Sequence, residues 1–308
     1  MKILVTGGAG FIGSHVCEEL QKNYAGAEVM VLDNLATGSK ENVPACFKLV
    51  QMDMRSPELT AFFAENKFNK VIHLAAQTLV PTSLKDPALD ADLNVLGLIN
   101  VLEAARQTGV SSVIFSSSAA VYGDNAHLPL RETERLLPTS FYGLTKAVAE
   151  EYLRLYHDLY GLNTTVLRFA NVYGERQGMA GEGGVISIFA KKLANDEKIE
   201  VYGDGNQTRD FVYVKDIAKA LCLALDHQGY GIFNVSTGEE VSLNTLIEVF
   251  EKVMKKKPQV EYLKVRTGDI YRSVLSNVAI GKALGLTQFT PLEVGLKATC
   301  GFFEFSRK

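Results

Sequence analysis

Lys2-Ile3-Leu4-Val5-Thr6-Gly7-Gly8-Ala9-Gly10-Phe11-Ile12-Gly13 opens the chain with a short apolar run that breaks into glycines at positions 7, 10 and 13. The apolar run reads as a buried strand and Phe11 to Tyr24 as a helix. Each glycine has its own task in the turn between them. Gly7 lets the chain leave the strand tightly, Gly10 lets backbone approach a pyrophosphate, and Gly13 lets the new helix pack on the sheet. The free N–H groups at that helix N-terminus face the phosphate charge. A glycine motif alone is weak, but here a second strand, Glu28 to Leu32, follows and ends in Asp33, twenty positions after Gly13. That spacing suits a carboxylate gripping a ribose diol, and its charge repels the extra phosphate of NADP. Together these features point to bound NAD.

Strands and helices continue to alternate. Phe47 to Met52 reads as a strand ending at Asp53, Pro57 to Glu65 as a helix, and Lys70 to Leu74 as a strand running into Ala75-Ala76-Gln77. One long helix is expected from Pro87 to Thr108, started after Asp86 and closed by Gly109. Ser112 to Phe115 and Asn163 to Arg168 complete a set that implies an α/β fold with a doubly wound parallel sheet. Ligands bind such sheets at the carboxyl ends of the strands. Gly7, Asp33, Asp53, Ala75, Ser118 and Asn171 all fall just past such ends, which argues for one site.

The stretch from Ser116 to Lys146 carries the candidate chemistry. A serine run, Ser116-Ser117-Ser118, leaves a strand, and Tyr142-Gly143-Leu144-Thr145-Lys146 opens a helix that runs to a stop at Gly161. Tyr142 and Lys146 stand at i and i+4 on one helix face. An ammonium beside a phenol is expected to lower the tyrosine below its usual value of about 10 and so make a base. Taken alone, the pair better fits two residues that merely share a face; the glycine turn and Asp33 give it meaning.

After about Asn171 the pattern loosens. Gly174 to Gly184 reads as a mobile loop over a ligand, Val185 to Leu193 as a helix and Ile199 to Tyr202 as a strand. Asp216 to Leu225 carries an apolar helical stripe, Ile232 to Val235 could return to the main sheet, and Ser242 could cap a helix ending near Met254. Two final short helices follow a loop at Arg266-Thr267-Gly268-Asp269. Residues 1–170 are thus read as a dinucleotide-binding domain and 171–308 as mainly substrate-binding, with the two interleaved.

Composition excludes several classes. The chain has 308 residues, 47% hydrophobic and 22% charged, with a formal net charge of -3. There is no basic field for nucleic acid and no apolar run of the length a membrane span needs. Met1-Lys2 runs straight into a strand, leaving no room for a signal peptide, so a cytoplasmic location is expected. Cys17, Cys46, Cys222 and Cys300 are scattered and fit reduced thiols. The five histidines lack ligand spacing, so no metal is expected.

Thr6-Gly7-Gly8-Ala9-Gly10-Phe11-Ile12-Gly13, His73-Leu74-Ala75-Ala76, Ser116 through Gly123 and Tyr142-Gly143-Leu144-Thr145-Lys146 resemble the extended short-chain dehydrogenase/reductase family over nearly the whole chain. Within it they are most similar to nucleotide-sugar epimerases, particularly UDP-hexose 4-epimerases. The resemblance implies a Rossmann domain holding NAD, a smaller C-terminal α/β domain holding a UDP-sugar, and a homodimer formed through the helices at Pro87–Thr108 and Tyr142–Tyr160. By position, Tyr142 would be the base on the sugar 4-hydroxyl, Ser118 would hydrogen-bond that hydroxyl, and Lys146 would bridge the nicotinamide ribose. Asp53 would bind the adenine amine and Asn94 would support the cofactor side. The remaining cofactor contacts would fall on Gly7, Gly10, Phe11, Ile12, Gly13, Asp33, Asn34, Gly38, Met54, Leu74, Ala75, Ala76, Ser116 and Phe169. Asn171, Val185, Tyr202, Arg209, Arg266 and Asp269 would hold the uridine diphosphate. Its charge suits two arginines, although singly these read equally as surface arginines and Tyr202 as a packing aromatic.

Two departures matter. Some 4-epimerases carry a lysine after the fourth strand, where this chain has Gln77-Thr78-Leu79-Val80. Dehydratases of the family carry an acid after the serine, where this chain has Ala119-Ala120, which counts against elimination. Ser273 falls at the position that gates the sugar's second carbon, and a serine leaves room for an N-acetyl group. The expected activity is therefore 4-epimerisation of UDP-GlcNAc, with UDP-glucose beside it, through a transient 4-keto sugar. A uronate epimerase, a dehydratase or reductase, and a non-catalytic nucleotide sensor are the alternatives.

Overall fold

The computed structural model describes residues 1–178, 183–265 and 270–305. Its centre is a seven-stranded parallel sheet. Strand β1 (Lys2–Thr6) leads to helix α1 (Phe11–Asn23), and β2 (Glu28–Asp33) to β3 (Lys48–Gln51). Helix α2 (Leu59–Asn66) follows, then β4 (Lys70–His73). Next come the short helices α3 (Val80–Lys85) and α4 (Pro87–Ala91), a π-helical segment over Asp92–Leu96, and α5 (Gly97–Thr108). Strand β5 (Ser112–Ser118) precedes the long helix α6 (Phe141–Tyr160) and β6 (Asn163–Phe169).

Beyond β6 lie β7 (Asn171–Tyr173), α7 (Val185–Ala194), β8 (Ile199–Tyr202), β9 (Thr208–Arg209) and β10 (Phe211–Tyr213). Helix α8 (Val214–Leu223) leads to β11 (Tyr230–Val235), which pairs with β6 and so returns to the main sheet. Then come β12 (Val241–Ser242), α9 (Leu243–Met254), β13 (Val260–Leu263), α10 (Val278–Leu284) and α11 (Leu292–Phe305). The sheet order is β11-β6-β5-β4-β1-β2-β3, so the order reverses between β1 and β4, where a doubly wound sheet opens a crevice.

Strand β1 shows why both faces are covered. Ile3, Leu4 and Val5 are fully buried. Ile3 and Val5 enter a cluster with Val16 and Leu20 of α1 and with Ile217 and Leu221 of α8. Leu4 points the other way, to Phe63 of α2 and Leu98, Val101 and Leu102 of α5. Each such side chain contributes about 1.5–3 kcal/mol by leaving water. A third cluster, around Tyr173, Phe189, Phe250 and Leu296, holds the later elements together.

Two expectations need correction. The helix expected from Pro87 to Thr108 contains the π segment, and a separate helix, Val80–Lys85, precedes it. Pro87 cannot continue a helix through Asp86, whose side chain instead accepts the N–H of Leu89 at 3.0 Å and starts a new one. The last helix, with 14 residues, is not short. The loop expected from Gly174 to Gly184 falls partly outside the described residues.

Candidate active site

The carboxyl edge of the sheet gathers the residues singled out from the sequence. Gly7 follows β1, Asp33 ends β2, Ser118 ends β5, and Ala75 and Asp53 lie two residues past β4 and β3. The glycine turn is built as its spacing implies. Gly7 has a φ of +71°, and a Cβ there would stand 2.7 Å from the Ala75 amide nitrogen. A side chain on Gly13 would run into the Gly7 carbonyl, so helix α1 can lie this close to the strand only with glycine. No side chain caps α1, so its first-turn N–H groups, at Phe11, Ile12 and Gly13, are left for an anion.

Asp33 is buried, and its two oxygens accept N–H groups of Ala9 (3.0 Å) and Leu35 (2.8 Å). These bonds fix the carboxylate while leaving each oxygen a second acceptor direction for a diol. The Thr6 hydroxyl ties β1 to β4, lying 2.7 Å from His73 Nδ1 and accepting the Leu74 and Ala75 N–H groups at 3.3 Å. Gly38 packs on Ala9, and Met54 is buried under Gly97. Asp53 accepts from the Arg55 guanidinium at 2.8 and 2.9 Å and from the Asn34 amide at 3.0 Å. The guanidinium holds the Asp53 carboxyl well below the usual carboxylate range. A glycine-only turn, an uncapped helix start and a fixed carboxylate make a cradle that fits NAD.

Helix α6 delivers the reactive side chains. Ser140 caps it by accepting the Gly143 N–H at 3.1 Å, which places Tyr142 in the first turn. Gly143 lies against the Ala120 carbonyl, and this close approach carries Tyr142 to the end of β5. Ser118 accepts the Ala120 N–H at 3.2 Å, and its hydroxyl acts on the Tyr142 phenol to favour the phenolate. The Lys146 ammonium is almost fully buried, donates to the Ser116 carbonyl at 2.8 Å, and lies 5.9 Å from the centre of the Tyr142 ring. Ser118, Tyr142 and Lys146 are thus brought together.

Their electrostatics differ from the sequence expectation. Burial pushes the Tyr142 phenol up from its ordinary value, the Ser118 hydrogen bond opposes this, and the Asp90 carboxylate adds to the rise. Burial brings Lys146 down to about 8, against the pull of Asp90 and Glu150. In the protein alone the tyrosine is therefore raised by desolvation and not lowered as its spacing from Lys146 suggested. His73 is buried and held neutral, its pKa brought down to about 3 by desolvation with Lys146 adding to it, which fits a structural role.

Asn94 is buried, accepts the Gln77 N–H at 2.9 Å and donates to the Gln77 carbonyl at 2.9 Å. Gln77 is thus absorbed into the frame around Asn94. Phe169 ends β6 and is buried. On the other side, Asn171 starts β7, Val185 starts α7, Tyr202 ends β8 and Arg209 ends β9. Arg209 donates to the Thr208 carbonyl at 2.8 Å, and Thr208 N–H bonds the Tyr271 carbonyl at 2.9 Å. Ser273 is half-buried on the segment that then reaches Leu130, whose N–H bonds the Val274 carbonyl at 2.9 Å. Arg266 and Asp269 lie outside the described residues. Among the described residues no group of acidic, histidine or cysteine side chains could hold a metal ion.

Residues 3–236 match the model of the NAD dependent epimerase/dehydratase family. The chain belongs to that family. It is accordingly an enzyme, an isomerase of the epimerase type, with NAD as its cofactor. Over 297 residues it is 44% identical to a putative UDP-glucose 4-epimerase of Methanocaldococcus jannaschii, covering 96% of each chain. It is similar to the structure of UDP-glucose 4-epimerase from Thermotoga maritima with UDP-glucose, with a TM-score of 0.96 and 38% identity over 100% of both chains. It is also similar to UDP-N-acetylglucosamine 4-epimerase from Methanobrevibacter ruminantium in complex with UDP-N-acetylmuramic acid. There the TM-score is 0.91 at 35% identity, covering 100% of this chain and 99% of that one.

Sequence reading missed the residues packed behind Tyr142 and Lys146. Glu150 and Arg168 form a buried ion pair at 2.6 Å, with Ser117 donating to the same carboxylate and Tyr122 beside the guanidinium. Asp90 and Thr145 are bonded at 2.7 Å. Glu150 could have been noticed four residues after Lys146, but Asp90 gives no local signal, since Thr145 is 55 residues away.

Proposed function

We propose that the chain is an NAD-dependent UDP-sugar 4-epimerase that interconverts UDP-GlcNAc with UDP-GalNAc, and UDP-glucose with UDP-galactose beside them. The observation that supports this most is the meeting of Ser118, at the end of β5, with Tyr142 and the buried Lys146 of α6 at the strand ends that also carry the NAD cradle. Tyr142 takes the proton of the sugar 4-hydroxyl as it is oxidised, and Ser118 holds that hydroxyl in line. Lys146 compensates the phenolate and grips the cofactor ribose. When bound, NAD supplies the reversible hydride acceptor and a positive ring that favours the phenolate. The 4-keto sugar turns over in the site, and Tyr142 returns the proton when the opposite face is reduced. Ala119 and Ala120 offer no acid for elimination, so the chain's own residues favour return over dehydration.

The cofactor half is residues 1–170 together with β11, and the uridine diphosphate half is 171–308. Arg209, with Arg266, offers forked donors to a diphosphate carrying about two negative charges. Asn171, Val185, Tyr202 and Asp269 complete that half. Ser273 stands on the segment between Tyr271, bonded to Thr208, and Val274, bonded to Leu130; in this reading it lies at the sugar end, where a serine admits an acetamido group. The exposed Leu89 and Leu96, with Leu144, Leu155 and Leu159 of α6, support a homodimer through a four-helix bundle. No described helix is long and apolar enough to cross a membrane, and a cytoplasmic enzyme is the reading we adopt.

Tyr142→Phe tests the role of the base. The variant should retain NAD and lose turnover by several orders of magnitude, whereas a nucleotide sensor would bind as before and show no turnover in either form.

A further inference from the structure

Asp90 is fully buried, and no described Lys, Arg or His forms an ion pair with it. A carboxylate so placed is costly and persists only where its hydrogen bonds and distant charges are arranged for it. Its donors are neutral: the Thr145 hydroxyl at 2.7 Å, the Gln77 amide at 2.6 Å and the Asn94 amide at 3.2 Å. Thr145 lies between Tyr142 and Lys146, and its hydroxyl is also 3.0 Å from the Tyr142 carbonyl oxygen. Asn94 and Gln77 close the ring on the cofactor side through paired main-chain bonds. The π segment begins two residues after Asp90 and leaves both Asp90 and Asn94 facing inward. Such segments recur at functional sites.

The charges around the pair can be counted. Titratable groups face it from each packed element: His73 from β4, Asp90 from α4, Glu150 on α6 itself, and Arg168 of β6 behind Glu150. Asp92 of the π segment is turned away to Arg55. His73 is neutral, and Glu150 is matched by the bidentate Arg168. That leaves the Lys146 ammonium and the Asp90 carboxylate as the uncompensated opposite charges.

We propose that Asp90 is a positioning residue for the epimerisation: its carboxylate clamps the turn of α6 between Tyr142 and Lys146 and supplies the negative charge that keeps the buried Lys146 ammonium in place. This rests on the 4-epimerase reading above. Asp90 touches neither sugar nor cofactor and acts through Thr145, Asn94 and its field. That field disfavours phenolate and favours ammonium, so its removal moves both ionisations to lower pH.

The test is Asp90→Asn, which keeps the shape and the hydrogen-bonding oxygen but removes the charge. With the purified NAD-bearing enzyme, kcat should fall on the order of tenfold to a hundredfold, with little change in the KM for the UDP-sugar. Both limbs of the pH profile should move to lower pH. A profile superimposable on that of the parent overturns the proposal, whatever the rate. Near-ultraviolet tyrosinate titration, read as the difference from Tyr142→Phe, gives an answer that does not require turnover: Tyr142 should ionise at lower pH in Asp90→Asn, and an unmoved titration overturns the proposal. A parent without epimerase activity would instead remove the functional reading. Should Asp90→Asn not fold, Asp90→Glu carries the test, with a reduced kcat and limbs at the parental pH expected, and a parental kcat contradicting the clamp.

Discussion

Tyr142 shows how burial can reverse the sign that spacing alone predicts. The i, i+4 spacing identified Tyr142 and Lys146, and from it a depressed phenol was expected. The folded chain buries Lys146 and half-buries Tyr142, and desolvation favours each neutral form: the phenol rises and Lys146 falls to about 8. Desolvation cannot be read from spacing because it is set by the walls, here Phe115, 4.6 Å from the ammonium, and the Ser116–Ser118 strand end. His73 obeys the same rule, and the consequence can be measured. The unfolded chain protonates it near pH 6.5 and the folded chain only near 3. Between those values the unfolded state binds more protons, so the stability present above pH 6.5 is lost as the pH falls, by up to a few kcal/mol. Thermal unfolding of His73→Asn should therefore fall less steeply with pH across that window than that of the parent. Parallel slopes would contradict the assignment.

Among the elements, β1, α1, β2, β5 and α6 were all legible because local signals and tertiary demands agree there: glycine turn, N-cap, apolar run. The α3–α4–π–α5 stretch was less so. Its break at Asp86-Pro87 has a sequence signature, whereas no residue pattern in the sequence marks the π segment over Asp92–Leu96. Helix α6 is held to β6 by the Glu150–Arg168 pair, with side chains only 2% and 3% exposed. Removing one partner leaves a buried charge. Arg168→Met should lower stability by about 3–5 kcal/mol in chemical denaturation, while Glu150→Gln combined with Arg168→Met should recover part of that loss. An Arg168→Met protein as stable as the parent would show that the pair carries little of the α6–β6 junction.

At the scale of the molecule, the parallel sheet was foreseen, and so was the return of a late strand, now Tyr230–Val235 beside β6. The sugar half was harder to read because its strands are two to four residues long and pair across large sequence gaps, as β8 does with β13. The proposed dimer is tested by sedimentation. The parent should run as a dimer and Leu159→Glu, which places a charge on the 66% exposed leucine face of α6, as a monomer. A monomeric parent would contradict that surface assignment. The central claim is tested most directly by proton NMR of the purified protein, without added cofactor, mixed with UDP-GlcNAc and in parallel with UDP-glucose. Anomeric signals of UDP-GalNAc and of UDP-galactose should grow in. If only UDP-galactose forms, the reaction stands and the open gate at Ser273 does not. If neither forms, even after NAD is supplied, 4-epimerisation of these sugars is contradicted.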